Sequence, residues 1–179
     1  MKIAAKSQAL QFVCIIGLAM AASGVLAKDD PPAPPAPPAP PADGNTIEGT
    51  WLARVTIPNP PPGVAPTFLS LHTFTGTGEA IEANSTTQDR SLAQGEWMRA
   101  PGPRHFVRTV TYFVYGSGHV FTNFTRVTSA IELAPDGETY TATSQFENYD
   151  PNGVLLNSGQ TTAVAHRCGI GDSIPSCIP

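Results

Sequence analysis

The chain has 179 residues, with 16 Gly, 19 Pro and only 13% charged residues, and a formal net charge of −4. Its basic residues are few and scattered, with no basic stripe and no interleaving of basic and aromatic side chains, which argues against a nucleic-acid partner. Setting aside a leader and a spacer leaves roughly 135 residues, enough for one domain with its own core.

Residues 1–27 have the three parts of a secretory signal: Lys2 and Lys6 at the start, the apolar run Phe12–Met20, and a small-residue cleavage site at Val25-Leu26-Ala27. A membrane anchor is the competing reading. The run is short for a span of about 20 residues, however, so no transmembrane segment is expected after cleavage. The expected address is secreted or periplasmic. Residues 28–43 form a Pro/Ala-rich linker whose centre, Pro31–Ala42, repeats Pro-Pro-Ala. Proline fixes φ and removes the amide donor, so this segment is read as a polyproline II rod of roughly 37 Å at about 3.1 Å per residue. It is a spacer, or alternatively a ligand for a proline-reading domain.

From residue 44 on the pattern is strand after strand. Glu48–Ile57 alternates Trp51, Ala53, Val55 and Ile57 against Thr50, Arg54 and Thr56. The proline-rich loop Pro58–Pro66 is a candidate lid or rim. Thr67–Thr75, Glu79–Thr86 and Gln94–Ala100 supply three further strands, separated by glycine and proline turns. Arg104–Thr128 is a long β-branched and aromatic hairpin broken at Gly116-Ser117-Gly118. Ser129–Ala134 continues its second arm to a Pro135-Asp136-Gly137 turn. Glu138–Tyr149 and Val154–Arg167 complete the set, the last with a bulge expected at Gly159. Eight or nine sequential strands with short turns would leave aggregation-prone edges if the sheet stayed open. The expected fold is therefore all-β: a single antiparallel up-and-down barrel over residues 44–167, with a two-sheet sandwich as the alternative.

The tail 168–179 carries Cys168 and Cys177, the only cysteines left once the leader is removed. In an oxidising compartment they are expected to pair and to pin the tail near the barrel mouth.

Gly49-Thr50-Trp51 opens the first strand and Arg167 closes the last. A G-x-W opening with a late arginine resembles the lipocalin and calycin barrels. Together with Gly95-Glu96-Trp97 and the Pro135-Asp136-Gly137 and Asp150-Pro151-Asn152-Gly153 turns, it resembles small secreted bacterial proteins of uncharacterised function that carry lipocalin-like barrels. The resemblance implies that Trp51 plugs the closed end, that Arg167 packs across it, and that the barrel is a cup for a small apolar molecule. About a dozen residues follow Arg167, so the C-terminal lipocalin helix is not expected.

Motifs that carry chemistry are scarce. The four histidines show neither H-x-H nor HExxH spacing, so no metal or other cofactor is expected. No G-x-S-x-G is present. His72 is the histidine placed to enter the cup. Arg104 and Arg108 share one face of the fifth strand and are read as outward, which makes Val107, Thr109, Thr111, Phe113 and Tyr115 the interior candidates. Arg126 marks the outside of the sixth strand, leaving Phe121, Asn123, Thr125 and Val127 inside. With His72 and Trp97, these residues form the candidate lining of either an open pocket or a filled core.

Three functions compete. The first is a secreted binding barrel for a small hydrophobic or amphiphilic ligand. The second is a surface-tethered structural or interaction module. The third is a cyclase or isomerase of the allene oxide cyclase type, an analogy of architecture that requires Glu96, His72 or Tyr115 to project into one cavity.

Overall fold

The computed structural model describes residues 45–86 and 88–179. The leader and spacer lie outside the described residues. The domain is a closed eight-stranded antiparallel barrel in sequential order. Its strands are β1 (Gly49–Thr56), β2 (Thr67–Phe74), β3 (Glu79–Asn84), β4 (Ala93–Arg99), β5 (His105–Gly116), β6 (Val120–Leu133), β7 (Thr139–Tyr149) and β8 (Leu155–Arg167). Closure comes from β1 pairing with β8, with Trp51 directly opposite Arg167 and Thr56 opposite Thr162. Every strand thus has two hydrogen-bonded neighbours, and no edge remains to template aggregation. The only helical pieces among the described residues are a 3-10 turn at Ser117–His119 and a single α-turn at Ile174–Cys177.

The two ends of the barrel differ. At one end Ile47, Trp51, Phe74, Phe106, Leu133 and Tyr140 are all at most 2% exposed and fill the interior. The Trp51 and Tyr140 rings meet edge-on, their centroids 4.9 Å apart. Arg167 closes this end from below. Its guanidinium carbon lies 4.3 Å from the Trp51 ring centre, and it donates to the carbonyls of Thr46, Glu48 and Gly137 at 2.9, 2.6 and 3.0 Å. Trp51 Nε1 donates to Ile47 O at 2.8 Å, so the indole's one polar atom is satisfied in the core. The other end, where the β1–β2, β3–β4, β5–β6 and β7–β8 connections lie, stays open.

Cys168 and Cys177 are disulfide-bonded. The bridge does not hold the tail at the open mouth. Cys168 N bonds Thr50 O at the closed end, and the tail then runs back along the outer face of β1, where Arg54 Nε donates to Pro179 O at 3.0 Å.

Two local features depart from the sequence reading. No bulge occurs at Gly159, which stays in register opposite Phe146; the extra residue of β8 is Leu156, skipped between the pairs Asn148–Asn157 and Tyr149–Leu155. Gly159 instead makes room for an aromatic ring, since a Cβ there would sit 2.5 Å from Phe146 Cζ. A second shift, between Val114 and Tyr115, skips Thr122 on β6 and reverses the alternation beyond it.

Candidate functional site

The open half of the barrel encloses a cavity of about 660 Å³. Its wall is largely apolar, including Val55, Phe68, Val127, Ile131, Ala142 and Phe146. Pro61, Gly63, Val64 and Ala65 from the proline-rich loop contribute to its rim. That loop is held by Ile57 N to Pro66 O at 2.8 Å, which makes it a fixed border at the base.

At the inner end of the cavity sits a cluster of polar and charged side chains that the barrel has taken almost wholly out of water. His72 from β2, Glu82 from β3 and Arg108 from β5 are 3%, 7% and 4% exposed. All three line the cavity, as does Tyr140 from β7. Glu82 is the hub. Its Oε2 lies 3.1 Å from Arg108 Nη2, its Oε1 lies 3.3 Å from Arg90 Nη2, and His72 Nε2 is 3.6 Å away. Arg90 also stacks on Tyr112, its guanidinium carbon 4.0 Å from the ring centre. Arg108 Nη2 reaches Ser129 Oγ at 3.4 Å, and Ser144 Oγ donates to Ser129 Oγ at 2.8 Å.

The protonation states follow from these contacts. Ser70 Oγ donates to Ala83 O at 3.2 Å, so it accepts from His72 Nε2 at 2.9 Å. His72 Nδ1 is left as the acceptor, and the Tyr140 hydroxyl donates to it. Burial first, and the Arg108 charge second, push His72 down from 6.5 to about 3, while Glu82 works against them. The imidazole is therefore neutral and a poor base. Burial raises the Tyr140 phenol above its ordinary 10. Burial also acts to raise Glu82 and is the largest single effect, but Arg108 and Arg90 outweigh it and hold the carboxyl below its usual range. At neutral pH two guanidiniums thus face one carboxylate, an excess of one positive charge. Arg108 keeps Nε and Nη1, and Arg90 keeps Nη1, buried with no hydrogen-bond partner among the described residues.

The sequence-predicted lining is only partly assembled here. His72 lines the cavity. Trp97 does not: it packs against Phe74 and Phe106 toward the closed end, with Nε1 donating to Thr75 O at 2.9 Å. On β5 the inward face is the opposite of the one expected. Phe106, Arg108, Val110 and Val114 are buried, so Val107, Thr109, Thr111, Phe113 and Tyr115 lie on the outer face. An arginine does not mark the solvent face here, because the Arg108 charge is compensated inside the barrel by Glu82. On β6, Thr125 is buried and Val127 lines the cavity as expected, and Asn123, opposite Val114, is half-buried without lining the cavity. Phe121 is turned outward by the register shift and packs edge-on against Phe113 at 5.6 Å. Glu96 is exposed, and Tyr115 stacks on His119 outside the barrel. Glu96, His72 and Tyr115 therefore do not meet in one cavity.

Glu82, Arg90, Arg108 and Tyr140 were missed by the sequence reading. The signal for Arg108 was present: its face of β5 carries Phe106, Val110, Tyr112 and Val114, whereas the other face carries two threonines. No group of three or more His, Cys, Asp or Glu is placed to hold a metal ion among the described residues, and no helix there is long and apolar enough to cross a membrane. The chain matches no protein-family model and no curated protein.

Proposed function

We propose that this protein is an exported binding barrel, of the calycin-like kind, that carries a small hydrophobic or amphiphilic ligand. The observation that carries the reading is the cavity of about 660 Å³, walled by apolar side chains and open at one end of a rigid closed sheet. Ligand pockets of about 300–1,000 Å³ with an apolar wall and a few convergent polar groups are the usual form of small-molecule sites. The proposed export rests on the basic start, apolar run and small-residue cleavage site of residues 1–27, and a disulfide in the tail is compatible with it.

Titration of the purified domain with a neutral apolar fluorophore, N-phenyl-1-naphthylamine, tests the reading. Saturable one-to-one enhancement is expected, and it should be abolished when Ala163, on the cavity wall, is replaced by Trp to fill the space. Absence of saturable binding by the wild type would overturn it.

A second reading, a self-associating surface module, is favoured by the outward Phe113–Phe121 pair together with Val120, which are 51%, 38% and 62% exposed. Light scattering separates the two: a monomer at all concentrations removes the module.

A further inference from the structure

A cavity lined only by hydrocarbon selects for size and shape. This one ends in charge, and the charge is unbalanced. Arg108 reaches the cavity on a side chain that is 4% exposed. Only its Nη2 is engaged, with Glu82 and Ser129, while Nε and Nη1 have no acceptor among the described residues. Leaving buried donors of a charged group unpaired costs free energy, more so than for a neutral group. Glu82 cannot neutralise the cluster, because it is shared with Arg90 at 3.3 Å. His72 cannot supply the missing negative charge. Ser129 and Ser144 line the same stretch of wall, and the Ser144 hydroxyl is already given to Ser129.

Resting on the reading of the barrel as a binding cup, we infer that its ligand is a monoanionic amphiphile, a chain with a carboxylate head, whose head group accepts hydrogen bonds from Arg108 at the inner end while its apolar tail runs outward past Val127 and Phe146 to the proline-rich rim. One negative charge balances the surplus of one positive charge. A dianion would overshoot it, and a cation would add to it. An uncharged alcohol would fill the same wall and could reach one Arg108 donor, but it would leave the surplus charge standing.

The probes are dodecanoate, dodecanol and dodecyltrimethylammonium, each displacing N-phenyl-1-naphthylamine from the delipidated protein at pH 7.5. Dodecanoate is expected to bind about 10- to 100-fold more tightly than dodecanol, the range for a hydrogen bond to a charged group, and the cation most weakly. Arg108→Met should erase the preference for the acid while fluorophore and dodecanol still bind. Arg108→Lys keeps the cluster's charge and should fold even if Arg108→Met does not. It is expected to narrow the preference, because an ammonium presents its donors from a different point. Dodecanol binding as tightly as dodecanoate in the wild type overturns the anionic head group, and an acid preference unchanged in both Arg108 variants overturns Arg108 as its seat; either result leaves the binding cup intact. Failure of the fluorophore and all three chains to bind overturns the cup itself.

Discussion

Glu82 and Arg108 form an ion pair at 3.1 Å across the inside of the barrel, from strands that are not neighbours in the sheet. Both side chains are less than a tenth exposed. A buried pair of this kind is poor evidence for stability in itself, because desolvating two ions offsets most of their attraction. What it does guarantee is that losing one partner is costly. Among the described residues Glu82 is the only carboxylate in contact with two buried guanidiniums, which makes it the more sensitive of the two.

Glu82→Gln leaves Arg90 and Arg108 facing each other without a counter-charge. Chemical denaturation is expected to show a loss of about 3–5 kcal/mol, the range for breaking a buried pair from one side. Arg108→Met should cost less, because Glu82 keeps Arg90. The double variant Glu82→Gln/Arg108→Met should be more stable than the sum of the single losses predicts, with a coupling of about 1–3 kcal/mol. Additive losses would show that the two side chains do not interact in the folded protein.

The same cluster sets the response to acid. His72, pushed down from 6.5 to about 3, is neutral in the folded protein, whereas in the unfolded chain it takes up a proton below 6.5. The unfolded state therefore binds the extra proton across that window. Stability is complete above pH 6.5 and falls as pH drops toward about 3, by about 1.4 kcal/mol per pH unit for this one group. Glu82 has the usual carboxylate sign: its folded value is lowered, so its contribution is present at neutral pH and is lost below the ordinary carboxylate range. His72→Gln can still accept from Tyr140 and donate to Ser70. It should lower stability at pH 7.5 yet show a shallower decline between pH 6 and pH 4 in urea titrations. Parallel pH profiles for the two proteins would contradict the neutral, buried imidazole.

At the closed end, Arg167 stacks on Trp51 and ties three carbonyls from two separate segments. A lysine cannot reproduce that fork, nor lie flat on the indole. Arg167→Lys is therefore expected to lose about 2–3 kcal/mol while keeping its charge. Tryptophan fluorescence should report a wetter Trp51 before global unfolding. A change below about 0.5 kcal/mol, the size of an ordinary surface substitution, would mean that the pairing does not hold this end together.

The strand plan and its closure were legible because each depends on local signals. Alternation, turn residues and the long Arg104–Thr128 hairpin all survive as written in β1 to β8, with boundaries moved by only a residue or two at most ends. The site was far less legible. Parity says that two residues share a face but not which face is inside, and at β5 the choice turned on Arg108, whose partner Glu82 is 26 positions away in sequence and two strands away in the sheet. The reversal at Phe121 depends on the skipped residue Thr122, and nothing in VFTNFT marks it. Arg90 comes from a segment that meets the barrel through a single bridge to Val114, a contact that no periodicity predicts.

Two strand glycines give a final test, because they occupy similar positions for different reasons. A Cβ on Gly95 would lie 2.0 Å from Thr109 O and 2.8 Å from Val110 Cα, both backbone atoms of the neighbouring strand. Nothing there can move without parting β4 from β5. A Cβ on Gly159 would meet only the far end of the Phe146 ring, at 2.5 Å from Cζ, and that ring borders an open cavity into which it can swing. Gly95→Ala is therefore expected to abolish folding or cost more than about 4 kcal/mol, at the extreme of single substitutions. Gly159→Ala should cost about 1–2 kcal/mol, the lower part of the range for overpacking, and should weaken binding of the neutral fluorophore because Phe146 is displaced into the pocket. Thermal unfolding of the two variants orders them directly. Equal losses would mean that the barrel wall at β4–β5 is as yielding as a side chain, which a hydrogen-bonded sheet closed on itself does not allow.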